Sequence, residues 1–180
     1  ACPLPTAILS VHTGFPDHYL DDYTERMAPY IASWEKNGLA FDGICTGFLG
    51  SAEQIAIVLD FIRRFKGAGT RVMVDPVMGD YGKLYPSYTQ EMCDKMRSLL
   101  GVADLVTPNL TEACQLLDIP YPTDGIVTDD ELFEMVGFLA ARGPKQVVIT
   151  GLHEGDTIKN FLYEEGKIAI VRAPKIGGDR

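Results

Sequence analysis

The amino-acid sequence predicts an α/β fold: a doubly wound, mostly parallel sheet with helices on both faces, ending in a β-hairpin. Short apolar runs of strand length alternate with longer segments whose apolar residues recur at helical spacing. The short runs are almost continuously apolar, as expected of parallel strands that helices cover on both faces. The last segment instead predicts a hairpin that turns near Glu165 and Gly166. Because no repeat or linker interrupts the pattern, residues 1–180 are expected to form one domain.

The apolar runs define five predicted strands and the helix after the first of them. The strands are residues 6–11, 41–47, 71–75, 103–107 and 145–150. The helix after the first strand has one apolar face, formed by Tyr23, Met27, Tyr30, Ile31 and Trp34. Pro29 must start or kink this helix, because proline lacks the N–H and its ring clashes with the preceding turn.

Capping signals and apolar stripes predict the other helices. Ser51 with Gln54, and Thr128 with Glu131, form capping-box patterns at two helix starts. The apolar stripes of the second, third and last helices are Ile55, Val58, Leu59, Ile62 and Phe65; Tyr88, Met92, Met96 and Leu99; and Leu132, Met135, Val136 and Leu139. The fourth helix is expected to open with Pro108 in its first turn, where the missing N–H costs little.

Bulk composition limits the classes of function. The net charge of −9 argues against a sequence-independent hold on nucleic acid, which requires a basic face. The four cysteines are scattered without a CxxC pair, so free thiols are expected rather than a disulfide framework or a zinc site. No apolar run approaches the roughly 18 residues of a membrane span, and no secretion signal is visible. We therefore expect a soluble cytoplasmic protein without a nucleic-acid or membrane partner.

Polar residues and glycines follow each predicted strand. In sheets of this kind ligands bind outside the carboxyl ends of the strands, so these residues are the first candidates for a site. They are His12, Thr13 and Gly14; Thr46, Gly47 and Phe48; Asp75 and Asp80; Thr107, Asn109 and Glu112; and Thr150, Gly151 and His153. Carboxylates bind hydrated Mg²⁺, hydroxyls and amides donate to phosphate oxygens, and glycines allow close backbone approach. The set predicts a magnesium and phosphate site at one rim.

Each candidate also has a structural interpretation. Asp75 can end a strand in a turn, and Asp80 between two glycines can be a solvated loop residue. Asn109 and Glu112 suit an ordinary helix start. Thr150 can be the ordinary end of a strand. His12 and His153 have no partner residue at the spacing typical of a metal site or a catalytic triad. The functional interpretation depends on three separate strand ends that carry acids or amides at the same rim.

Two stretches resemble a known family, whereas the GxxxxGK[ST], GxGxxG and GxSxG motifs are absent. "VDPVMGDYGKLY", followed further along by "ADLVTPNLTEACQLL", resembles the pyridoxal (pyridoxamine) kinase group of the ribokinase-like superfamily. "LPTAILSVHTGF", "FDGICTGFLGS" and "VVITG" match in the same order, so the resemblance covers essentially the whole chain.

The resemblance implies roles for residues at matching positions. Asp75 would lie near the γ-phosphate of ATP and its cation, and Asp80 close to the acceptor hydroxymethyl group. Asn109 and Glu112 would bind phosphate and magnesium-bound water, and Thr150 a phosphate oxygen. The implied metal residues are therefore Asp75 and Glu112.

The resemblance also implies contacts to the vitamin. Thr13, together with His12, would contact the pyridine ring. Phe48 occupies a position where members of the group often have tyrosine, so a ring contact is kept and a hydroxyl is lost. The glycines and lysine of residues 79–83 would form a loop over substrate and nucleotide.

Two family elements are not visible in the 180 residues. The family begins with a further strand and a substrate loop, and it carries a G-T-G-D motif whose glycines form an anion hole and whose aspartate is the catalytic base. The chain is therefore expected to be incomplete at both ends, with the base beyond Arg180 and no catalytic residue of its own. Asp179 resembles the segment that precedes G-T-G-D rather than that base.

The implied function is ATP-dependent phosphorylation of the 5′-hydroxymethyl group of pyridoxal, pyridoxine or pyridoxamine by a homodimer. ATP and Mg²⁺ would be required, with a monovalent cation as a further candidate. One alternative is a kinase for hydroxymethylpyrimidine or another small alcohol. Such kinases share the DPVM and TPN motifs but typically lack the residues found here as Gly79, Asp80 and Gly82–Tyr85. Another alternative is a non-catalytic protein that binds the vitamin.

Overall fold

The computed structural model describes residues 1–11 and 15–176. Its elements in chain order are β1 (Ala7–Leu9), β2 (Leu20–Asp22), α1 (Thr24–Lys36), β3 (Gly43–Thr46), α2 (Ala52–Phe65), β4 (Arg71–Val74), β5 (Gly79–Asp80), β6 (Lys83–Leu84), α3 (Gln90–Leu100), β7 (Leu105–Val106), α4 (Leu110–Leu117), α5 (Asp129–Ala140), β8 (Gln146–Glu154), β9 (Thr157–Glu164) and β10 (Lys167–Pro174). The candidates His12, Thr13, Gly14 and Asp179 lie outside the described residues.

A six-stranded sheet in the order β10-β9-β8-β7-β4-β3 forms the centre of the fold. β3, β4, β7 and β8 are parallel, whereas β8, β9 and β10 pair antiparallel. Glu165 and Gly166 connect the last two strands with φ angles of 47° and 84°, as a two-residue type I′ turn requires. The predicted α/β class, the mostly parallel sheet and the terminal hairpin are therefore confirmed.

The first predicted strand forms, but outside the central sheet. β1 pairs antiparallel with β2 in a separate two-stranded sheet, so its expected place among the parallel strands is wrong. Gln54, which is fully buried in α2, ties this sheet to the rest of the fold. Its Nε2 donates to the Thr6 carbonyl at 2.8 Å and to Thr24 Oγ1 at 2.9 Å. A short apolar run does not specify its pairing partner, which is why the sequence pattern gave the wrong position for this strand.

The five helices form one layer on one face of the sheet. Each helix contacts the next, from α1 with α2 through α4 with α5. The order β3-β4-β7-β8 advances in one direction, so right-handed crossovers return on the same side each time. The opposite face presents partly or fully exposed side chains, including Cys45, Met73, Leu105 and Val148. The helices expected on that second face are not among the described residues.

The helix starts largely follow the predicted caps. Ser51 Oγ accepts from the Gln54 N–H at 3.1 Å, and α5 begins with the complete predicted capping box. α4 begins later than expected, because Asn109 caps it and Pro108 precedes the cap. Pro29 lies in the interior of α1, which continues past it.

The described residues include no helix that is long and apolar enough to cross a bilayer. All four cysteines are free, as the sequence predicts. Cys93 and Cys114 are buried, whereas Cys2 and Cys45 are exposed.

Candidate active site

The stretch after β4 folds into a tight hairpin. β5 and β6 pair antiparallel, with Asp80 opposite Lys83, and the turn residues Tyr81 and Gly82 have φ angles of 48° and 75°. A Cβ atom at Gly79 would lie 2.1 Å from the Lys83 carbonyl oxygen, so the two backbones approach more closely than any side chain permits. The expected loop is therefore a short hairpin with a two-residue turn. The hairpin formed by β5 and β6 is called the site hairpin below.

The first turn of α4 holds the site hairpin by its backbone. Three hydrogen bonds do so: Met78 N–H to Glu112 Oε1 at 3.1 Å, Asn109 Nδ2 to the Gly79 carbonyl at 2.8 Å, and Gly82 N–H to Thr111 Oγ1 at 2.8 Å. Two of these bonds lie at the base of the hairpin and one at its tip. The position of Asp80 therefore depends on α4.

Asn109 and Glu112 also form the capping box of α4. Asn109 Oδ1 accepts from the Glu112 N–H at 3.0 Å, and Glu112 Oε2 accepts from the Asn109 N–H at 2.8 Å. The interpretation of the pair as a helix start is thereby confirmed. Both Glu112 oxygens already accept a backbone N–H, so only their second lone pairs are left for a ligand. Ligand binding by the two residues stays a prediction.

Three carboxylates gather where β4 ends. Asp75 directly follows β4 and is half-buried, Glu112 is 4% exposed, and Asp80 is exposed. Burial raises the pKa of Asp75, whose carboxylate accepts no hydrogen bond from the residues that the structure describes. Burial and, to a smaller extent, the negative charges of Asp75 and Asp80 raise the pKa of Glu112, whereas the N–H donors of Asn109 and Met78 lower it, and the net result is a pKa of about 7. A cation would relieve this accumulation of negative charge.

Tyr85 belongs to the site, although sequence analysis assigned it no role. Burial raises the pKa of its hydroxyl, and the charges of Asp80, Glu112 and Asp75 raise it further, so the hydroxyl lies near all three carboxylates. The Tyr85 N–H donates to the Met78 carbonyl at 2.9 Å, next to the site hairpin. The available signal was the spacing in "MGDYGKLY", because a two-residue turn returns the last residue to the side of the first.

The other predicted residues follow the ends of three neighbouring strands or, for Thr150, lie within β8, which continues past the predicted end to Glu154. Across the sheet they follow in the order Phe48, Asp75, Asn109 and Thr150. Asn109 and Thr150 form a parallel bridge, and the Thr150 N–H donates to the Pro108 carbonyl at 2.9 Å. Phe48 is half-buried at the far side of β4 from α4, and its carbonyl accepts from Thr6 Oγ1 at 2.7 Å. The structure thus brings Asp75, Asp80, Asn109, Glu112 and Thr150 to one rim, with Phe48 at its end.

A cavity of about 400 Å³ opens between the site hairpin and the end of β8. Asp80 and Tyr81 line it on the hairpin side, and Asn109, Tyr121 and His153 line it elsewhere. The ring centroids of Tyr81 and His153 are 6.1 Å apart. Small-molecule sites have volumes of about 300–1,000 Å³, so this cavity, which Asp80 lines, is large enough for part of a nucleotide.

Comparison with known proteins identifies the family. Residues 35–180 match the phosphomethylpyrimidine kinase family. The chain belongs to that family. The matched range includes the whole central sheet, the site hairpin and α4.

Individual members of the phosphomethylpyrimidine kinase family and related proteins support the assignment. Two crystal forms of a Bacteroides thetaiotaomicron protein, assigned as a phosphomethylpyrimidine kinase, match with TM-scores of 0.93 and 0.91. They are 41% and 42% identical over 99% and 96% of this chain, and the second is a form with pyridoxal. The pyridoxal kinase of Arabidopsis thaliana is 28% identical over 96% of this chain. The resemblance to the pyridoxal kinase group is therefore confirmed.

The chain is shorter than these relatives. It spans 62% of each Bacteroides chain and 58% of the Arabidopsis kinase.

The carboxylates of this phosphomethylpyrimidine kinase family member fit Mg²⁺. Among residues 1–11 and 15–176, no group of three or more His, Cys, Asp or Glu could hold a metal ion. Mg²⁺ is usually bound through only one or two carboxylates, with waters and substrate phosphates completing its octahedron. Asp75, which lacks a hydrogen-bond partner among the described residues, suits direct contact with the ion. Glu112, whose oxygens accept N–H groups, suits contact through a metal-bound water.

Glu112 should make the stability of the metal-free protein depend on pH. Its pKa of about 7 in the fold exceeds the ordinary value of 4.5, so the fold favours the protonated form. The contribution of protonated Glu112 to the free energy of unfolding is fully present below pH 4.5 and is lost as the pH rises through 7. We expect the free energy of unfolding to fall by about 2–3 kcal/mol from pH 5 to pH 8 through this residue.

Urea unfolding of the wild-type protein and Glu112→Gln at both pH values measures this loss. The variant cannot ionise at that position, so its free energy of unfolding should fall about 2–3 kcal/mol less than that of the wild type over the same range. Equal losses in the two proteins would show that Glu112 does not titrate in this range.

Proposed function

We propose that the protein is an ATP-dependent kinase that phosphorylates the 5′-hydroxymethyl group of pyridoxal, pyridoxine or pyridoxamine in vitamin B6 salvage. The observation that carries the proposal is the half-buried Asp75 carboxylate at the end of β4, unpartnered among the described residues and close to Glu112. Such a carboxylate favours a cation, and a cation at the strand ends is what a kinase needs beside the phosphates of ATP. The Bacteroides relative crystallised with pyridoxal supports the choice of acceptor.

Residues of the rim would align the phosphates and stabilise their charge, which are the main requirements of phosphoryl transfer. Mg²⁺, when bound, would neutralise charge on the phosphate oxygens. Asp75 would hold the ion, Glu112 would orient one of its waters, and Thr150 would donate its hydroxyl to a phosphate oxygen. The Asn109 amide is engaged by Gly79 and Glu112. Its contribution would be to cap α4, whose N-terminal N–H groups favour phosphate.

The acceptor would extend from Asp80, which lines the cavity beside β8, towards Phe48 at the end of the rim. Asp80 would be close to the hydroxymethyl group, and Phe48 would contact the pyridine ring together with His12 and Thr13. A phenylalanine ring supplies apolar contact but no hydroxyl, so recognition of polar ring substituents would depend on other residues.

The proposed general base is the aspartate of a G-T-G-D motif outside the 180 residues. General-base assistance contributes about 10²–10⁴-fold to such reactions, so the rim residues would bind and align the substrates while the base completes the transfer. We further propose a cytoplasmic homodimer that uses Mg²⁺, with a monovalent cation as a further candidate.

Phosphorylation of hydroxymethylpyrimidine is the second candidate, because the family match covers kinases of that class. Ligand-induced thermal stabilisation separates the two acceptors. A ligand that binds only the native state stabilises it by about 2.7 kcal/mol at 100 times its Kd. We expect pyridoxal to raise the Tm of the full-length protein more than the same concentration of hydroxymethylpyrimidine. Phe48→Ala should reduce the pyridoxal shift, and a larger shift with the pyrimidine would favour the second candidate.

A further inference from the structure

Thr111 anchors the tip of the site hairpin. It lies between the two polar residues of the α4 capping box and is 2% exposed. Its Oγ1 accepts from the Gly82 N–H at 2.8 Å. The bonds made by Asn109 and Glu112 reach only the base of the hairpin, at Met78 and Gly79. Among the hydrogen bonds of the described residues, Thr111 therefore supplies the anchor from α4 to the turn.

The turn of the site hairpin requires a hydrogen bond from outside the hairpin to hold its position. β5 and β6 contribute only two residue pairs, and an isolated two-stranded hairpin is marginally stable at best. Asp80 and Tyr81 are exposed, so burial of their side chains does little to hold the turn in place. The Tyr121 ring packs against Gly82, where a Cβ atom would lie 2.7 Å from its Cδ1. The Tyr121 ring limits movement of the turn towards that ring. The hydrogen bond from the Gly82 N–H to Thr111 Oγ1 fixes the distance between the turn and α4.

We infer that Thr111 is a positioning residue for the reaction. Its hydroxyl holds the turn of the site hairpin and thereby keeps Asp80 and Tyr81 in place along the cavity that both residues line. The inference rests on the proposed kinase function for its effect on catalysis. Because misplacement of reacting groups by about 1 Å can cost about 10²-fold in rate, loss of this anchor should reduce kcat/KM by about 10-fold or more.

Thr111→Val and Thr111→Ser in the full-length protein test the inference. Valine matches the shape of threonine without the hydroxyl, whereas serine keeps the hydroxyl. Thr70→Val is the matched control, because the 8% exposed Thr70 accepts from the Gly67 N–H at 3.0 Å far from the rim. We expect Thr111→Val to lower kcat/KM for pyridoxal about 10-fold or more, partly through a higher KM, which a loss of folded protein cannot produce. Thr111→Ser and Thr70→Val should stay within about threefold of wild type.

Amide hydrogen exchange provides a readout that does not require turnover. The Gly82 N–H should exchange at least about 10-fold faster in Thr111→Val than in wild type and should keep its protection in Thr111→Ser. Kinetics of Thr111→Val equal to those of Thr70→Val, in an active enzyme, would overturn the inference. Unchanged exchange at Gly82 would overturn the anchor itself. If the unmodified protein phosphorylates no vitamer, the proposed function fails, and faster exchange would still support the anchor.

Discussion

Asp75→Asn should lower the kcat of pyridoxal phosphorylation by about 10²–10³-fold and change the Kd for pyridoxal less than threefold. Asparagine keeps the shape of the side chain but removes the charge that would hold the cation beside the phosphates. The vitamer is proposed to bind at Asp80 and Phe48, so its affinity should be little affected. Steady-state kinetics with saturating ATP and Mg²⁺, together with a pyridoxal titration, measure the two quantities.

The loss of activity should not come from unfolding. Burial raises the pKa of Asp75 and thus disfavours its charged form, so the neutral asparagine should leave the Tm equal to or above that of wild type. Asp60→Asn serves as the control, because Asp60 is an exposed residue of α2 that pairs with Arg64. Near-normal turnover by Asp75→Asn would contradict the role assigned to this carboxylate.

Gly79→Ala should disrupt the site hairpin and reduce kcat/KM by at least about 10²-fold. A Cβ atom there would lie 2.1 Å from the Lys83 carbonyl oxygen and 2.8 Å from Leu84 Cα, both of which belong to the backbone. Neither atom can move aside as the end of a flexible side chain can, so β5 and β6 must separate. The expected loss of stability is about 1–3 kcal/mol, because the rest of the core is untouched.

Gly69→Ala is the matched control for this substitution. A Cβ atom at Gly69 meets nothing within 4 Å, and its backbone φ is not in the left-handed region. Activity and Tm of Gly69→Ala should therefore remain close to those of wild type. If Gly79→Ala kept full activity, the paired hairpin would not be required for the site.

Elements with local signals could be predicted from the sequence. The caps of α2 and α5 and the turn at Glu165 and Gly166 are formed by neighbouring residues, and the structure contains all three. The mostly parallel sheet also followed from alternation of strands and helices. The partner of β1 and the single helical layer could not be predicted, because both depend on strand order, which is a long-range property.

The candidate site was predicted in part. The rule that ligands bind beyond the carboxyl ends of parallel strands led to Asp75, Asn109, Glu112 and Thr150, which the fold brings to one rim. The site hairpin was missed because its turn lacks the usual Asn-Gly or Asp-Gly pair and places Tyr81 at a positive φ.

The remaining site residues depend on that missed hairpin. Tyr85 approaches the carboxylates only because β6 returns the chain to Met78. Thr111 gains an interaction with the site only because the turn brings Gly82 above α4. The backbone-holding roles of Asn109 and Glu112 have the same origin, since their partners Met78 and Gly79 lie at the base of the hairpin.

The most direct test of the kinase proposal is formation of pyridoxal 5′-phosphate by the full-length protein from ATP and pyridoxal, with and without Mg²⁺. We expect a product that appears in step with ADP, requires Mg²⁺ and falls about 10²–10³-fold in Asp75→Asn. Binding of pyridoxal without any transfer, with or without Mg²⁺, would contradict the kinase assignment and favour a vitamin-binding protein.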